Sequence, residues 1–269
     1  MKKIMLFVLA FIATVTCQAQ GKYQISGKIS GMADGTLLLV RNDGAVPDTL
    51  AVTALKNGVF MLSGEIDSPA GGYLATADGS LHLPLIVEPT NIMLNVSERG
   101  ALIQGGEQQK LYARYNQIAQ EFAVAQAQLQ GQAQQPGADV DALQVRIDEA
   151  YRNSLAQTDE LIRANSDAYA TAYVIALGAR NETEDDLREK YDLLGDAAKS
   201  SVPGKQIAAC LEQFAKLAVG QPAPDFTVSR PNGDALTLSA VPAKYKLVVF
   251  WASEDAASRQ ANPQLISLY

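Results

Sequence analysis

Thiols are nearly absent from this chain: its 269 residues hold two cysteines, Cys17 and Cys210. Histidine and tryptophan are scarcer still, with His82 and Trp251 the single examples. Each shortage excludes a chemistry. A lone histidine leaves no spaced His/Cys set for a metal, and Ser–His catalysis would have to use His82, which sits in a β-like run and reads as a sheet residue. No phosphate-cradling glycine loop or aromatic-basic stripe is present, so no cofactor is expected. Excess positive charge is lacking as well. Removing Lys2 and Lys3 with a leader takes the 22 basic residues to 20, against 29 acidic ones. That balance argues against nucleic acid and against electrostatic docking on anionic lipid. Beyond the leader no segment approaches the roughly 18 uninterrupted apolar residues of a membrane helix, so no transmembrane segment is expected.

What is present begins with that leader. Lys2 and Lys3 precede an apolar run from Ile4 to Val15, and "TCQAQ" supplies small residues for cleavage. Residues 1–19 therefore read as a secretory signal peptide cut after Ala19, which places the chain in the periplasm or cell envelope. The competing reading makes Cys17 the lipidated first residue of a lipoprotein, although Thr16 before it is a poor fit. After cleavage Cys210 is the only thiol, and an intramolecular disulfide is impossible. Ile207, Leu211, Phe214 and Leu217 surround it at helical spacing, so it reads as a small buried hydrophobe rather than a reactive thiol; only Lys205 and Lys216 are nearby cations.

From residue 22 to 105 short β-rich runs alternate with Gly, Asn, Asp and Pro turns, predicting an antiparallel β-sandwich-like domain of seven to eight strands. Lys56–Asn57–Gly58–Val59 is the clearest hairpin, because Asn-Gly accepts the positive φ angles of a type I′ turn. Phe60 and Leu62 alternate with Met61 and Ser63, the pattern of a sheet with one buried face.

Over residues 107–218 the period changes to that of helices. Leu111, Tyr115, Ile118, Phe122, Ala125 and Leu129 form one stripe, "GQAQQPG" is a break, and Asp139 caps a second helix to about Ala164. Ser166 is expected to cap an apolar helix ending at Gly178, and Thr183 with Asp186 makes an approximate capping box. A last helix is expected from about Gly204 to Leu217, giving a bundle of about five. Glu182, Glu184, Asp185 and Asp186 read as a solvated helix start rather than a cation site.

Residues 219–269 change texture again. Pro222 and Pro224 mark a linker, a hairpin is expected around Pro231–Asn232–Gly233, and Leu247 to Trp251 forms an unbroken apolar run of the parallel-strand kind. Gly220-x-x-Ala223–Pro224–Asp225–Phe226, Asn232–Gly233 with Leu236 and Leu238, then Phe250–Trp251–Ala252–Ser253, Arg259, Pro263 and Leu265 follow one another at telling spacings. In this the segment resembles the thioredoxin-like thiol-disulfide oxidoreductases of bacterial envelopes, the AhpC/TSA and TlpA/ResA types. "ISGKISG", "NGVFMLSGEI", "IVEPTNIML" and "IQGGEQQKLYARYNQ" in turn are similar to the β domain of unknown function that often precedes such domains in Gram-negative envelope proteins.

The resemblance implies a Cys-x-x-Cys at a helix start, where unpaired N–H groups stabilise the attacking thiolate. Here those positions read Asp255 and Ser258. Neither can exchange with a disulfide, so the redox centre is degenerate and Asp255 is expected to act as a helix N-cap. About fifty residues follow Val219, against about 100 for a domain of this class, which predicts only a partial thioredoxin-like α/β segment. Either the chain is a fragment, or its own helices, a second copy or an envelope partner covers the Leu247–Trp251 strand. The leading expectation is a redox-inactive envelope protein that binds or scaffolds. The alternative is a thiol-disulfide oxidoreductase, or a fragment of one, for which Cys210 is the sole mature thiol.

Overall fold

The computed structural model describes residues 21–44, 46–98 and 100–268. The expected signal peptide, Cys17 and its lipidation lie outside them. The chain divides into two compact units, Met1–Ala215 and Lys216–Tyr269.

The first unit is a β region followed by helices. Its strands are β1 (Lys22–Ile29), β2 (Gly35–Arg41), β3 (Asp48–Leu55), β4 (Val59–Glu65), β5 (Ala70–Thr76), β6 (His82–Val87), β7 (Asn91–Ser97) and β8 (Gly100–Gln104). They form two four-stranded sheets, ordered β4-β1-β7-β8 and β3-β2-β5-β6. All pairs are antiparallel except β1 with β7, which are parallel. The alternating pattern explains the layering. Ile25, Leu39, Leu55, Phe60, Leu74, Leu85, Ile92 and Leu94, from both sheets, share one buried cluster, whereas Met61 and Met93 face outward. A residue period of two sends every second side chain into that core.

The Asn57–Gly58 turn takes the expected positive φ at both residues, 51° and 74°. Lys56 and Val59 exchange two backbone hydrogen bonds across it at 3.0 and 2.9 Å. It is nevertheless not a hairpin within one sheet: β3 and β4 part after this pair, one into each sheet. The Asp34 carboxylate receives the Asn57 amide at 2.7 Å, and a Cβ at Gly58 would press on the Ile29 carbonyl.

Six α-helices follow: α1 (Glu107–Ala133), α2 (Val140–Ala164), α3 (Tyr169–Gly178), α4 (Glu184–Leu193), α5 (Asp196–Ser200) and α6 (Val202–Leu217), with a 3-10 turn at Ala179–Asn181. The pattern expected about five and missed α5, which is a single short turn. The break at "GQAQQPG" falls later than its glycine suggests, since α1 runs through Gly131 to Ala133. Asp139 caps α2 as expected, its carboxylate accepting from the Ala142 amide at 3.0 Å. Thr183 caps α4 through the Asp186 amide. Ser166 does not cap α3; Ala168 holds that position, and Ser166 instead gives its carbonyl to the Gly195 amide. The open α3 start is served from another helix, where the Gln108 side-chain oxygen accepts from the Ala170 amide at 2.9 Å. Ile162, Ile175, Leu187, Leu194, Ile207 and Leu211 make the helical core.

The second unit has β9 (Thr227–Ser229) and β10 (Ala235–Thr237), paired antiparallel, and α7 (Ala256–Leu268). The expected hairpin at Pro231–Gly233 is this pair, with Gly233 at φ 89°. The expected strand at Leu247–Trp251 is not one. These residues join no sheet, and their backbone makes no hydrogen bond among the described residues. A strand is defined by its ladder, and no other described segment of this unit offers one. Nor is any residue from 216 to 268 buried.

Candidate functional site

The turn at the redox positions is built by local hydrogen bonding. Asp255 immediately precedes α7, and its Oδ2 accepts the Ser258 amide at 2.6 Å. The Asp255 carbonyl receives the Arg259 amide, the first bond of the helix. The Ser258 hydroxyl and then its amide hold the Asp255 carboxyl below the usual carboxylate range. Ser258 also ties back to the preceding segment, taking the Ala252 amide on its hydroxyl at 3.4 Å and the Trp251 indole N–H on its carbonyl at 3.1 Å. Arg259 closes the turn by donating to the Ser253 carbonyl at 2.6 Å. The structure thus brings Asp255 and Ser258 together as cap and capped residue. A carboxylate here satisfies orphan helix amides, as a thiolate would, but has no sulfur to exchange.

The second unit also carries an open apolar groove of about 760 Å³, lined by Phe226, Leu236, Leu238, Val249, Leu265 and Leu268 among others. The uncharged run next to it is strongly exposed, with Phe250 at 94%.

The other candidates read from sequence stand apart from one another. His82 opens β6, exposed, with its ring 4.3 Å from that of Tyr73. Cys210 is half-buried against the helical core, its sulfur 3.7 Å from the Ala179 carbonyl. The acidic run is consumed by helix chemistry. Glu184 pairs with Arg188, Glu182 pairs with Lys190, and Asp186 accepts from the Thr183 hydroxyl. Among the described residues no group of three or more His, Cys, Asp or Glu could hold a metal.

A buried polar centre in the first unit has no counterpart in the sequence reading. Asp43, in the β2–β3 loop, is only 5% exposed. Its Oδ2 accepts from the Tyr169 hydroxyl at 2.5 Å and its Oδ1 lies 3.9 Å from Arg41 Nε. Tyr169 Oη in turn accepts the Gly71 amide at 2.6 Å, and Gln206 donates to the Asp43 carbonyl at 2.6 Å. Tyr173 donates to Asn42 at 3.3 Å and stacks on Tyr169, with centroids 5.9 Å apart. Its ring covers Gly71 so closely that a Cβ there would collide with it. Burial, and then the neighbouring Tyr112, pushes the Tyr173 phenol up to about 12. Burial and the bond to Asp43 push Tyr169 up further.

A second set does the same work at the start of α1. Glu88 accepts the Gln109 amide at 2.9 Å and the Gln108 amide at 3.3 Å, and Gln109 accepts the Ile86 amide at 2.7 Å. Gln109 thereby serves a strand-edge donor of β6. Both centres fasten helices to the sheet β3-β2-β5-β6, and neither leaves a reactive group open to solvent. The one available sequence signal was Gly71–Gly72 inside a strand, a place where another group approaches the backbone closely.

Residues 23–112 match the family described as Domain of unknown function (DUF4369). No curated protein and no solved structure matches the chain. Among the described residues no helix is long and apolar enough to cross a membrane.

Proposed function

We propose that this chain is an exported cell-envelope protein of thioredoxin-like kinship that acts by binding or scaffolding rather than by redox chemistry. One observation carries the reading: the residues after Lys216 bury nothing of their own, yet carry a strongly apolar groove and run. Exposed apolar surface of this extent marks a contact site. Support against redox chemistry comes from the positions themselves, since an aspartate and a serine cannot form or reduce a disulfide. The β region and helices would then be the folded part of the chain that carries the contact segment. Cys210 is poorly suited to thiol exchange, being half-buried with its sulfur turned to the Ala179 carbonyl.

The test is protease sensitivity of the full chain in two settings. In a native envelope preparation the segment after Val219 should resist cleavage, and in dilute purified protein it should be cut first. Equal cleavage in both settings would remove the binding reading.

A further inference from the structure

Resting on that binding reading, we infer that the occupant of the Leu247–Trp251 segment is the same segment of a second copy, paired antiparallel. Three observations lead there. First, five consecutive apolar residues have backbone N–H and C=O groups with no partner among the described residues, and Leu247, Phe250 and Trp251 are 69%, 94% and 49% exposed. Unpaired strand-like backbone of this kind is a template for another strand.

Second, the charges flanking the run are of opposite sign at its two ends. Lys244 and Lys246 precede it, Glu254 and Asp255 follow it, and everything from Leu247 to Ser253 is uncharged. Antiparallel pairing about Val249 brings the basic end of one copy, Lys244 and Lys246, to the acidic end of the other, Glu254 and Asp255, and the two-fold axis repeats the approach at the far end. A parallel alignment would instead stack lysine on lysine and acid on acid, which opposes pairing. The lysines and acids are not equally free. Lys246 donates to the Leu238 carbonyl at 2.8 Å and Asp255 is engaged with Ser258, whereas Lys244 lies over the Tyr245 ring and Glu254 meets the Ser253 side chain, with no ion pair joining either to another described residue.

Third, the groove beside the run supplies what a two-stranded ribbon lacks. Such a ribbon is marginal alone in water and needs an apolar face to pack on. Leu247, Val248 and Val249 of the run already line this groove. Phe226, Leu236, Leu238, Leu265 and Leu268 are the apolar neighbours against which one side of the ribbon would pack. An isologous contact of this kind closes as a dimer.

Sedimentation of the full mature chain over a range of concentrations tests the pairing, with three charge variants beside the wild type. The wild type should dimerise. Lys244→Glu and Glu254→Lys should each weaken the dimer by about tenfold, since each puts like charges opposite at two symmetric places. Lys244→Glu combined with Glu254→Lys should recover the wild-type constant, which no general loss of folding would do. A chain that stays monomeric at every concentration overturns the second copy as occupant. A dimer indifferent to all three variants overturns this surface. In either case protease protection in the envelope still reports on the binding reading separately.

Discussion

Up to Ala215 the sheet faces, the start of α3 and the buried Asp43 centre draw on residues far away in the chain. After it almost every hydrogen bond is local. In the first unit Asp43 meets Tyr169, 126 residues on, and Gln206, 163 residues on. In the second the longest-range hydrogen bonds among the described residues join Asp225 to Ser239, 14 residues apart. Local bonds can shape a turn but cannot enclose a core, because burial requires segments distant in sequence to meet. The contrast separates a part that encloses its own core from a part that, among the described residues, leaves its apolar side chains exposed.

The contrast breaks most visibly through the core. Leu74→Ala, at a fully buried position of β5, should cost about 2–5 kcal/mol in denaturant unfolding. Leu236→Ala in β10 should leave the same transition unchanged, because its side chain is not enclosed. Equal effects would mean that the second unit shares the first one's cooperative core.

Next in size is the polar centre. Tyr169→Phe removes only a hydroxyl, yet takes from a buried carboxylate its shortest hydrogen bond and leaves the Gly71 amide only the longer contact to Asp43 Oδ2 at 3.4 Å. It should cost about 1.5–3 kcal/mol, the range for hydrogen bonds to charged groups, and should speed exchange of the Gly71 amide. A loss below measurement would show that Arg41 and water satisfy Asp43 without help.

The same tyrosines give an alkaline limit. A phenol whose pKa is raised in the folded state binds its proton more tightly there than in the unfolded chain. Its contribution is therefore whole below the ordinary value near 10 and is lost as pH rises through about 12 for Tyr173. Unfolding followed by phenolate absorbance should show that slope in the wild type and a shallower one in Tyr173→Phe. Among its described residues the second unit holds no buried tyrosine, Tyr245 being 83% exposed, and they should contribute no such dependence.

The smallest effect is at the redox position. Asp255→Ala should speed amide exchange at Ser258 in the first turn of α7 and leave the global midpoint in place. Because the Asp255 carboxyl is held low, its cap is intact at neutral pH and weakens only as pH falls through that lowered value.

Legibility in the sequence followed the range of the interactions. Caps and turns made by near neighbours could be read directly: Asp139, Thr183 and Asp255 cap as expected, and Asn57–Gly58 takes its positive-φ turn although the two strands part into different sheets. The alternation of Phe60 and Leu62 with Met61 also revealed which face is buried. Interactions between distant segments were silent. Nothing around Asp43 announces Tyr169, and Gln108 is indistinguishable in composition from the exposed glutamines of α1 until its side chain meets Ala170. Ser166 looked like a cap because the pattern cannot show that Gln108 supplies one from elsewhere. Leu247–Trp251 looked like a strand because composition measures preference for a ladder and not whether a neighbour exists. The apolar groove was hidden for the same reason: the sequence shows Leu236, Leu265 and Phe226 but not that they converge.

The most direct test is hydrogen exchange along the full mature chain, dilute and concentrated. The amides of Leu39 and Leu74 should be protected in both conditions, while those of Leu247–Trp251 should exchange freely when dilute and become protected on concentration. Protection of Leu247–Trp251 equal to that of the β core in dilute monomer would contradict the account, because the segment would then be covered without any other molecule.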